Sequence, residues 1–341
     1  MTAVYLTIDT EYAAHLPGAN GTPGTRAENF ARSIECRTPA GAVGIFHQMD
    51  VMGAHGLKGV FFVDPMPALL WGVAAIEDIV GPIVDNGHDV QLHCHTEWLA
   101  HVPGNGLSAR TGRNLRDFAF DDQCRILEYA RDTLVAAGAP APVAFRAGNY
   151  GANDDTLRAL ATLGIGYDSS HCPALTGADC GISLGRDDRR PCVRENVLEV
   201  PVDCIETFGG RLRHGQLTAL SLRELVAELR HARDARVPEV VLVSHSFELL
   251  SRDRRQINRI VERRFRKLCA AIATMPGVSS ATFADRPPTP NEDFAAVPLL
   301  PHHPLRGGAR VVEQVIANAL YSRGLRVGTQ QALAVGAVLL T

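Results

Sequence analysis

Short apolar runs that stop abruptly at charged or polar residues alternate along this chain with stretches of helical spacing. Residues 3–8, AVYLTI, are apolar and partly β-branched without the alternation of a half-solvated strand, so they predict a strand covered on both faces that stops at Asp9-Thr10-Glu11. Gly41 to His55 carries Val43, Phe46, Met49 and Met52 at helical spacing, and KGVFFVDP then predicts a second buried strand halted by Pro65. Ala68 to Asn86 reads as one amphipathic helix, kinked or interrupted at Gly81-Pro82, and a third strand starts at His88 within GHDVQLHCHTEW, residues 87–98. A helix from Asp121 to Ala137 is expected to turn Cys124, Leu127, Ala130, Leu134 and Val135 inward. The fourth strand, VAFR, ends at Arg146; Asn153 or Asp154 caps a helix running through Leu163; and a fifth strand, IGYD, ends at Asp168.

Residues 169–196 are irregular, and VLEVPVDCI is strand-like but interrupted by Pro201. Ser221 to Arg236 predicts a helix that feeds EVVLVSHSFEL, a strand reaching His245, and Ile257 to Met275 predicts another before a last strand, VSSATFA. Two polar stretches rich in glycine, Tyr12 to Thr38 and the one after Trp98 to about Phe120, read as long loops. The alternation predicts an α/β fold of mostly parallel strands joined by right-handed crossovers. Residues 1–285 form the expected barrel domain; 286–341 form a Pro-rich linker and a helical tail, Val311 to Leu320, whose apolar face could dock on the barrel, a partner or a membrane surface, the barrel being favoured.

Composition narrows the function classes. At 341 residues, 46% hydrophobic and 21% charged, the chain can bury a large core, which excludes the disordered and fibrous classes for most of its length. Net charge is −3, and the positive charge is almost all arginine (Lys58 and Lys267 are the only lysines), scattered rather than clustered, so no nucleic-acid footprint is expected. Cys36, Cys94, Cys124, Cys172, Cys180, Cys192, Cys204 and Cys269 form no CxxC pair and read as free thiols, with a knot among those from Cys172 to Cys204 as the lesser alternative. No run is long enough for a membrane span, and a start without a basic and apolar leader reads as cytoplasmic.

Candidate chemistry collects where the strands end. Asp9 and Glu11 close the first strand, His93 to Glu97 the third, Arg146 the fourth, Asp168 the fifth and His245 a late one. In a parallel β/α barrel those carboxyl ends share one rim, so residues far apart in the chain meet in one mouth. Two geometries are open for the third strand. An extended chain puts His93 and His95 on one face, whereas a helical turn makes His93 and Glu97 neighbours at i, i+4.

TIDTE, GHDVQLHCHTEW, FRAGNYG and LVSH, in that order, resemble the motifs of the polysaccharide deacetylase family, the NodB homology domain of carbohydrate esterase family 4, over roughly residues 3–285. The resemblance implies a deformed (β/α)7 barrel and one divalent metal, commonly zinc with nickel or cobalt as alternatives, that removes N- or O-acetyl groups from a sugar or polysaccharide. Carried over, Asp9 is the catalytic base, Glu11 and His93 are metal ligands, Arg146 orients the base, and His245 is the general acid tuned by Asp168. Metal-bound water would attack the acyl carbon. The departure is in the second motif, where the family has HxxxH and this chain has His93, His95 and Glu97: either His95 completes the site with Glu97 orienting it, the favoured arrangement, or Glu97 is itself a ligand. Trp98 and Tyr150 could offer faces to a sugar or pack structurally. Two other functions stay open, a metal-dependent amidohydrolase acting on a small non-glycan amide and a carbohydrate-binding barrel without turnover. An oligomer is left open.

Overall fold

Parity along the strands decides what faces the inside of this molecule. In the computed structural model, which describes residues 1–15, 24–290 and 298–321, strand β1 (Thr2–Thr10) is buried throughout, and its side chains divide alternately between two apolar clusters. Ala3 and Tyr5 join Val60, Phe62, Ala144, Val241 and Phe283, a cluster to which no helix contributes. Val4, Leu6 and Ile8 join the larger cluster formed with the helices. The first cluster is the barrel interior and the second is the layer between strands and helices.

Besides a two-residue antiparallel pair, Arg37–Thr38 with Gly41–Ala42, the remaining strands among the described residues are β2 (Val60–Val63), β3 (Asp89–Cys94), β4 (Ala144–Ala147), β5 (Tyr167–Asp168), β6 (Cys192–Arg194), β7 (Val197–Glu199), β8 (Cys204–Thr207), β9 (Arg211–His214), β10 (Glu239–His245) and β11 (Val278–Ser280). The main sheet runs β10-β1-β2-β3-β4-β5-β7-β6 with β11 beside β1. Its pairs are parallel except β6 against β7. The sheet curls back on itself: beyond Pro201 the chain leaves β7, and Asp203 N donates to Val241 O at 3.2 Å and Leu217 N to Val243 O at 2.9 Å, which joins the far side to β10. The result is a deformed β/α barrel. Register sets the mouth, with Asp9 level with His245 on one side and His93 level with Arg146 further round.

Around the strands lie α1 (Ile45–Gly53), α2 (Ala68–Trp71), α3 (Ala74–Asp85), α4 (Phe120–Ala136), α5 (Asp154–Thr162), α6 (Leu222–Asp234), α7 (Arg259–Thr274) and α8 (Pro304–Tyr321). Several details differ from the sequence reading. The expected single helix over 68–86 breaks at Gly72, whose φ of 75° and ψ of 170° leave helical space, while Pro82 stays inside α3. Burial of Ile76, Ile79, Val80 and Ile83 outweighs the one N–H bond that proline removes. On α4 the buried stripe is Gln123, Ile126, Leu127, Ala130, Thr133 and Leu134, so Val135 faces solvent and Cys124 only the edge of the core. The expected loop over 12–38 contains a helical turn, Arg26–Asn29, whose Thr25 and Glu28 form a capping box; residues 16–23 lie outside the described residues.

The largest reversal is the tail. α8 docks through its polar face: Arg310 Nε donates to Glu224 Oε1 at 3.1 Å, Arg264 pairs with Glu313, and Leu305, Val312, Val315, Ile316 and Leu320 face outward. Buried carboxylates on α6 and a cation on α7 select the charged face of the helix, because leaving Glu224 unpaired would cost more than exposing aliphatic side chains. Residues 322–341 lie outside the described set. No helix among the described residues is long and apolar enough to cross a membrane.

The closed end of the barrel is an aromatic floor. Phe283 packs against Tyr5, Phe62 and Tyr167 with ring centroids 5.3, 6.0 and 5.6 Å away. Phe283→Ala is expected to cost about 3–5 kcal/mol of stability, read as a lower urea midpoint at unchanged slope; a loss below about 1 kcal/mol would mean the floor is not packed as described.

Candidate active site

The inner faces of the strands turn polar towards their carboxyl ends. On β1 the sequence of inward residues is Ala3, Tyr5, Thr7 and Asp9, and Glu11 continues the same parity; on β2 it is Val60, Phe62 and Asp64, on β3 Gln91, His93 and His95, and on β4 Ala144 and Arg146. Arg146 is fully buried and its guanidinium lies 4.4 Å from the centre of the Phe62 ring. Its Nη1 donates to Asp9 Oδ1 at 2.7 Å and Thr7 Oγ1 at 2.8 Å, while Nε and Nη2 donate to Ser169 O and Oγ, each at 3.1 Å. One oxygen of Asp9 is therefore committed. The other, Oδ2, lies 3.9 Å from His245 Nε2.

Beside this pair, three ligand atoms converge. One donor atom each from Glu11, His93 and His95 lies within 4.8 Å of the others, and no further such group of His, Cys, Asp and Glu exists among the described residues. Extended backbone at His95, with φ −102° and ψ 110°, brings the two rings to 4.9 Å, and the following turn, Thr96–His101, begins too late to pair His93 with Glu97. His93 Nδ1 donates to Arg146 O at 2.6 Å and His95 Nδ1 donates to Glu97 Oε2 at 2.7 Å, since a carbonyl and a carboxylate can only accept. With both imidazoles neutral, each Nε2 carries a lone pair aimed at Glu11 Oε2, which is 3.3 Å from His93 Nε2, in contact with His95 Nε2, and buried.

Three electron-rich atoms facing one another are relieved by a proton on His95 or by a metal ion. Burial opposes ionisation of Glu11, but His95 and His93 outweigh it and hold the carboxyl well below its usual range; burial likewise opposes charge on His95, and Glu11 and Glu97 override it and push its pKa well up. A single divalent ion would satisfy the same atoms with both imidazoles neutral, so the donor set fits one. Glu97 grips the far nitrogen of His95 and lies outside the convergent group.

His245 is held by a residue the sequence reading missed. Its Nδ1 donates to Glu248 Oε2 at 2.6 Å, and Gln216 Nε2 and Thr218 N steady Glu248 Oε1 at 2.8 and 3.1 Å. Burial works against the imidazolium, but Glu248, then Asp9 and Glu11, raise the His245 pKa from 6.5 to about 9. Asp168 does not reach this histidine. It pairs with Phe145, a residue of the outer layer, whereas Tyr167 is the inward member of β5. Asp168 accepts from Ser170 Oγ at 2.7 Å and faces Glu199, whose carboxyl burial and that neighbour push well up. Ser170 in turn accepts from Ala147 N at 2.9 Å, so Asp168 braces the strand end that carries Arg146.

Asp64, also missed, accepts from Met66 N at 3.1 Å and His95 N at 3.3 Å, and burial pushes its pKa up to about 6 against the opposing pull of His95 and His93. Counting inward positions along β2 would have found it. Trp98 is fully buried, edge-on to Trp71 at 5.2 Å, and offers no face to a sugar. Tyr150 remains half-buried near the mouth after a left-handed pair, Asn149 and Tyr150, both at φ 56°. All eight cysteines are free thiols.

No protein-family model and no curated protein matches the sequence. Solved structures do. A Mycobacterium smegmatis protein provisionally assigned as a polysaccharide deacetylase superposes with a TM-score of 0.53 at 18% identity, over 85% of this chain and 94% of that one. The chain has the polysaccharide deacetylase fold. Lower scores are reached by a family 4 carbohydrate esterase from Streptomyces lividans in complex with acetate (TM-score 0.43, 11% identity, 85% and 98% of the two chains) and by a 4-alpha-glucanotransferase from Thermococcus litoralis (TM-score 0.48, 10% identity, 83% and 39%). In this polysaccharide deacetylase fold the two tautomers fixed by Arg146 O and Glu97 generate a prediction about metal. His93→Ala should lose a stoichiometric divalent ion measured by atomic emission, and Glu97→Ala should weaken its binding by about ten- to a hundredfold in a chelator competition. Equal affinity in Glu97→Ala and the unaltered chain would remove Glu97 from the site.

Proposed function

We propose that this chain is a metal-dependent deacetylase that hydrolyses an acetamide or acetate ester on a sugar. The observation that carries the reading is the position of Asp9, one oxygen bonded to Arg146 at 2.7 Å and the other 3.9 Å from His245, next to the convergent atoms of Glu11, His93 and His95. A divalent ion held by those three residues, zinc or else nickel or cobalt, would supply Lewis acidity that polarises the acyl oxygen and lowers the pKa of a water. The sugar and acetyl specificity is supported by the likeness to the Mycobacterium smegmatis protein over 85% of the chain.

The chain's own residues divide the proton work. Asp9 Oδ2 takes a proton from the attacking water, while Arg146 keeps Oδ1 occupied and so fixes which lone pairs face the reaction. As the new C–O bond forms and the C–N or C–O bond to the sugar breaks, the leaving atom takes a proton from His245 Nε2. Glu248 makes this workable by holding Nδ1–H and favouring the imidazolium. Water and the acetylated sugar become acetic acid, which ionises to acetate and a solvent proton, and the free amine or alcohol, with the proton on Asp9 returned to His245 through solvent.

Two measurements test this. Acetate release from a panel of N- and O-acetylated sugar oligomers should fall by about 10²–10⁴-fold in Asp9→Asn, and undiminished release would end the proposal. Because His245 must be charged, activity should be lost as pH rises through about 9. In Glu248→Gln the largest stabiliser of that charge is gone and burial dominates, so the alkaline limb of the kcat/KM profile should move down by about one unit or more; an unmoved limb would exclude His245 as the acid.

A further inference from the structure

The turn that follows β10 carries a cation for which the described residues supply no counter-ion. Arg254 is half-buried, its guanidinium lies 3.8 Å from the centre of the Phe247 ring, and Nη1 donates to Ser33 Oγ at 3.4 Å. It forms no ion pair with any described carboxylate. Burial disfavours its charge, and Glu11, close enough to be felt but not to pair, only partly offsets that.

Its place relative to the reacting groups is fixed by Phe247. That ring also stacks on His245, with centroids 5.2 Å apart and planes at 29°, so the guanidinium sits one aromatic ring from the proposed acid. His245, Phe247 and Arg254 are all partly exposed, which makes them a strip of the mouth and not of the core. The backbone is held in place against its own preference. Arg254 has φ 56°, a region that a side chain with a Cβ avoids. A closed set of bonds keeps it there: Arg254 N to Ser251 O and Ser251 N to Gln256 O, both 2.8 Å, Ser251 Oγ to Asp253 Oδ1 at 2.7 Å and Gln256 N to Ser251 Oγ at 3.0 Å. Strain over-determined in this way recurs where a fold presents a functional group.

We propose that Arg254 binds an anionic group, a carboxylate or a phosphate, carried by the same sugar whose acetyl group is hydrolysed. This rests on the deacetylase reading for the identity of the ligand as a sugar. A guanidinium offers a planar fork of donors that matches an oxyanion. One already half-buried and stacked loses little freedom on binding it. Counter-charge for Glu11 is the competing explanation, and it gives no reason for a substrate preference.

The test reads binding, with turnover blocked. Metal-loaded Asp9→Asn protein is titrated calorimetrically with N-acetylglucosamine, with its 6-phosphate and with 2-acetamido-2-deoxyglucuronic acid, which differ only at the sixth carbon. At least one anionic sugar should bind about ten- to a hundredfold more tightly than the neutral one, and a preference for phosphate or for carboxylate alone identifies which group is read. Adding Arg254→Gln should bring the sugars to within about threefold, Arg254→Lys should retain part of the preference, and added salt should narrow it. Equal affinities, binding of none of the three, or a preference that survives in Arg254→Gln would overturn the proposal. Should Arg254→Gln not fold, the comparison of sugars with Arg254 intact still decides. Preferential binding without acetate release from any acetylated sugar would sink the deacetylase reading alone; acetate release without preference would sink the anion site alone.

Discussion

A guanidinium with no solvent exposure, paired to Asp9 inside the barrel, is the constraint on which the rest of the structure depends. Removing both charges from water costs several kcal/mol per ion, and the loss is made good only when geometry is good and every remaining donor is used. Arg146 comes near that condition, with Nε, Nη1 and Nη2 each donating to Thr7, Asp9 or Ser169 from above the Phe62 ring. Those partners come from β1, β2 and the segment after β5. The pair therefore holds three parts of the barrel in register. It also leaves Asp9 with one free oxygen, pointed at the side of the mouth where His245 enters from β10.

The same economy of acceptors organises the convergent ligands. Arg146 contributes twice, since its carbonyl accepts from His93 while its side chain grips Asp9. Glu97 does for His95 what that carbonyl does for His93. With both Nδ1 protons directed outward and the imidazoles neutral, the two Nε2 lone pairs and the Glu11 carboxylate face each other, an arrangement suited to a shared cation. The HxH spacing thus works through strand parity, and the carboxylate two residues later bonds to the far nitrogen of His95 instead of joining the convergent atoms.

Much of this was legible because strand-end chemistry survives in single runs of sequence. Asp9, Glu11, His93, His95, Arg146 and His245 each end or follow an apolar run, and parallel topology brings such ends together. What failed to show has specific causes. Asp168 also ends a strand, but its partner Phe145 belongs to the outer layer, and without the register of β4 and β5 the face of a two-residue strand is ambiguous. Glu248 lies past its strand, in a turn whose path no periodicity describes. Gly72 broke a helix that Pro82 was expected to break, because buried aliphatic contacts outweighed a local preference. α8 presented its charged face inward for a tertiary reason, the buried Glu224 waiting on α6.

The claim beneath all of this is that residues from β1 and β3 create one cation site at the mouth, flanked by Asp9 and His245. Anomalous diffraction from crystals grown with zinc, recorded on both sides of the zinc edge, tests it most directly. A single strong peak bounded by Glu11, His93 Nε2 and His95 Nε2 is the expected result. A peak ligated instead by His95 Nδ1 and Glu97, a peak among the cysteines, or no peak at this mouth would contradict it.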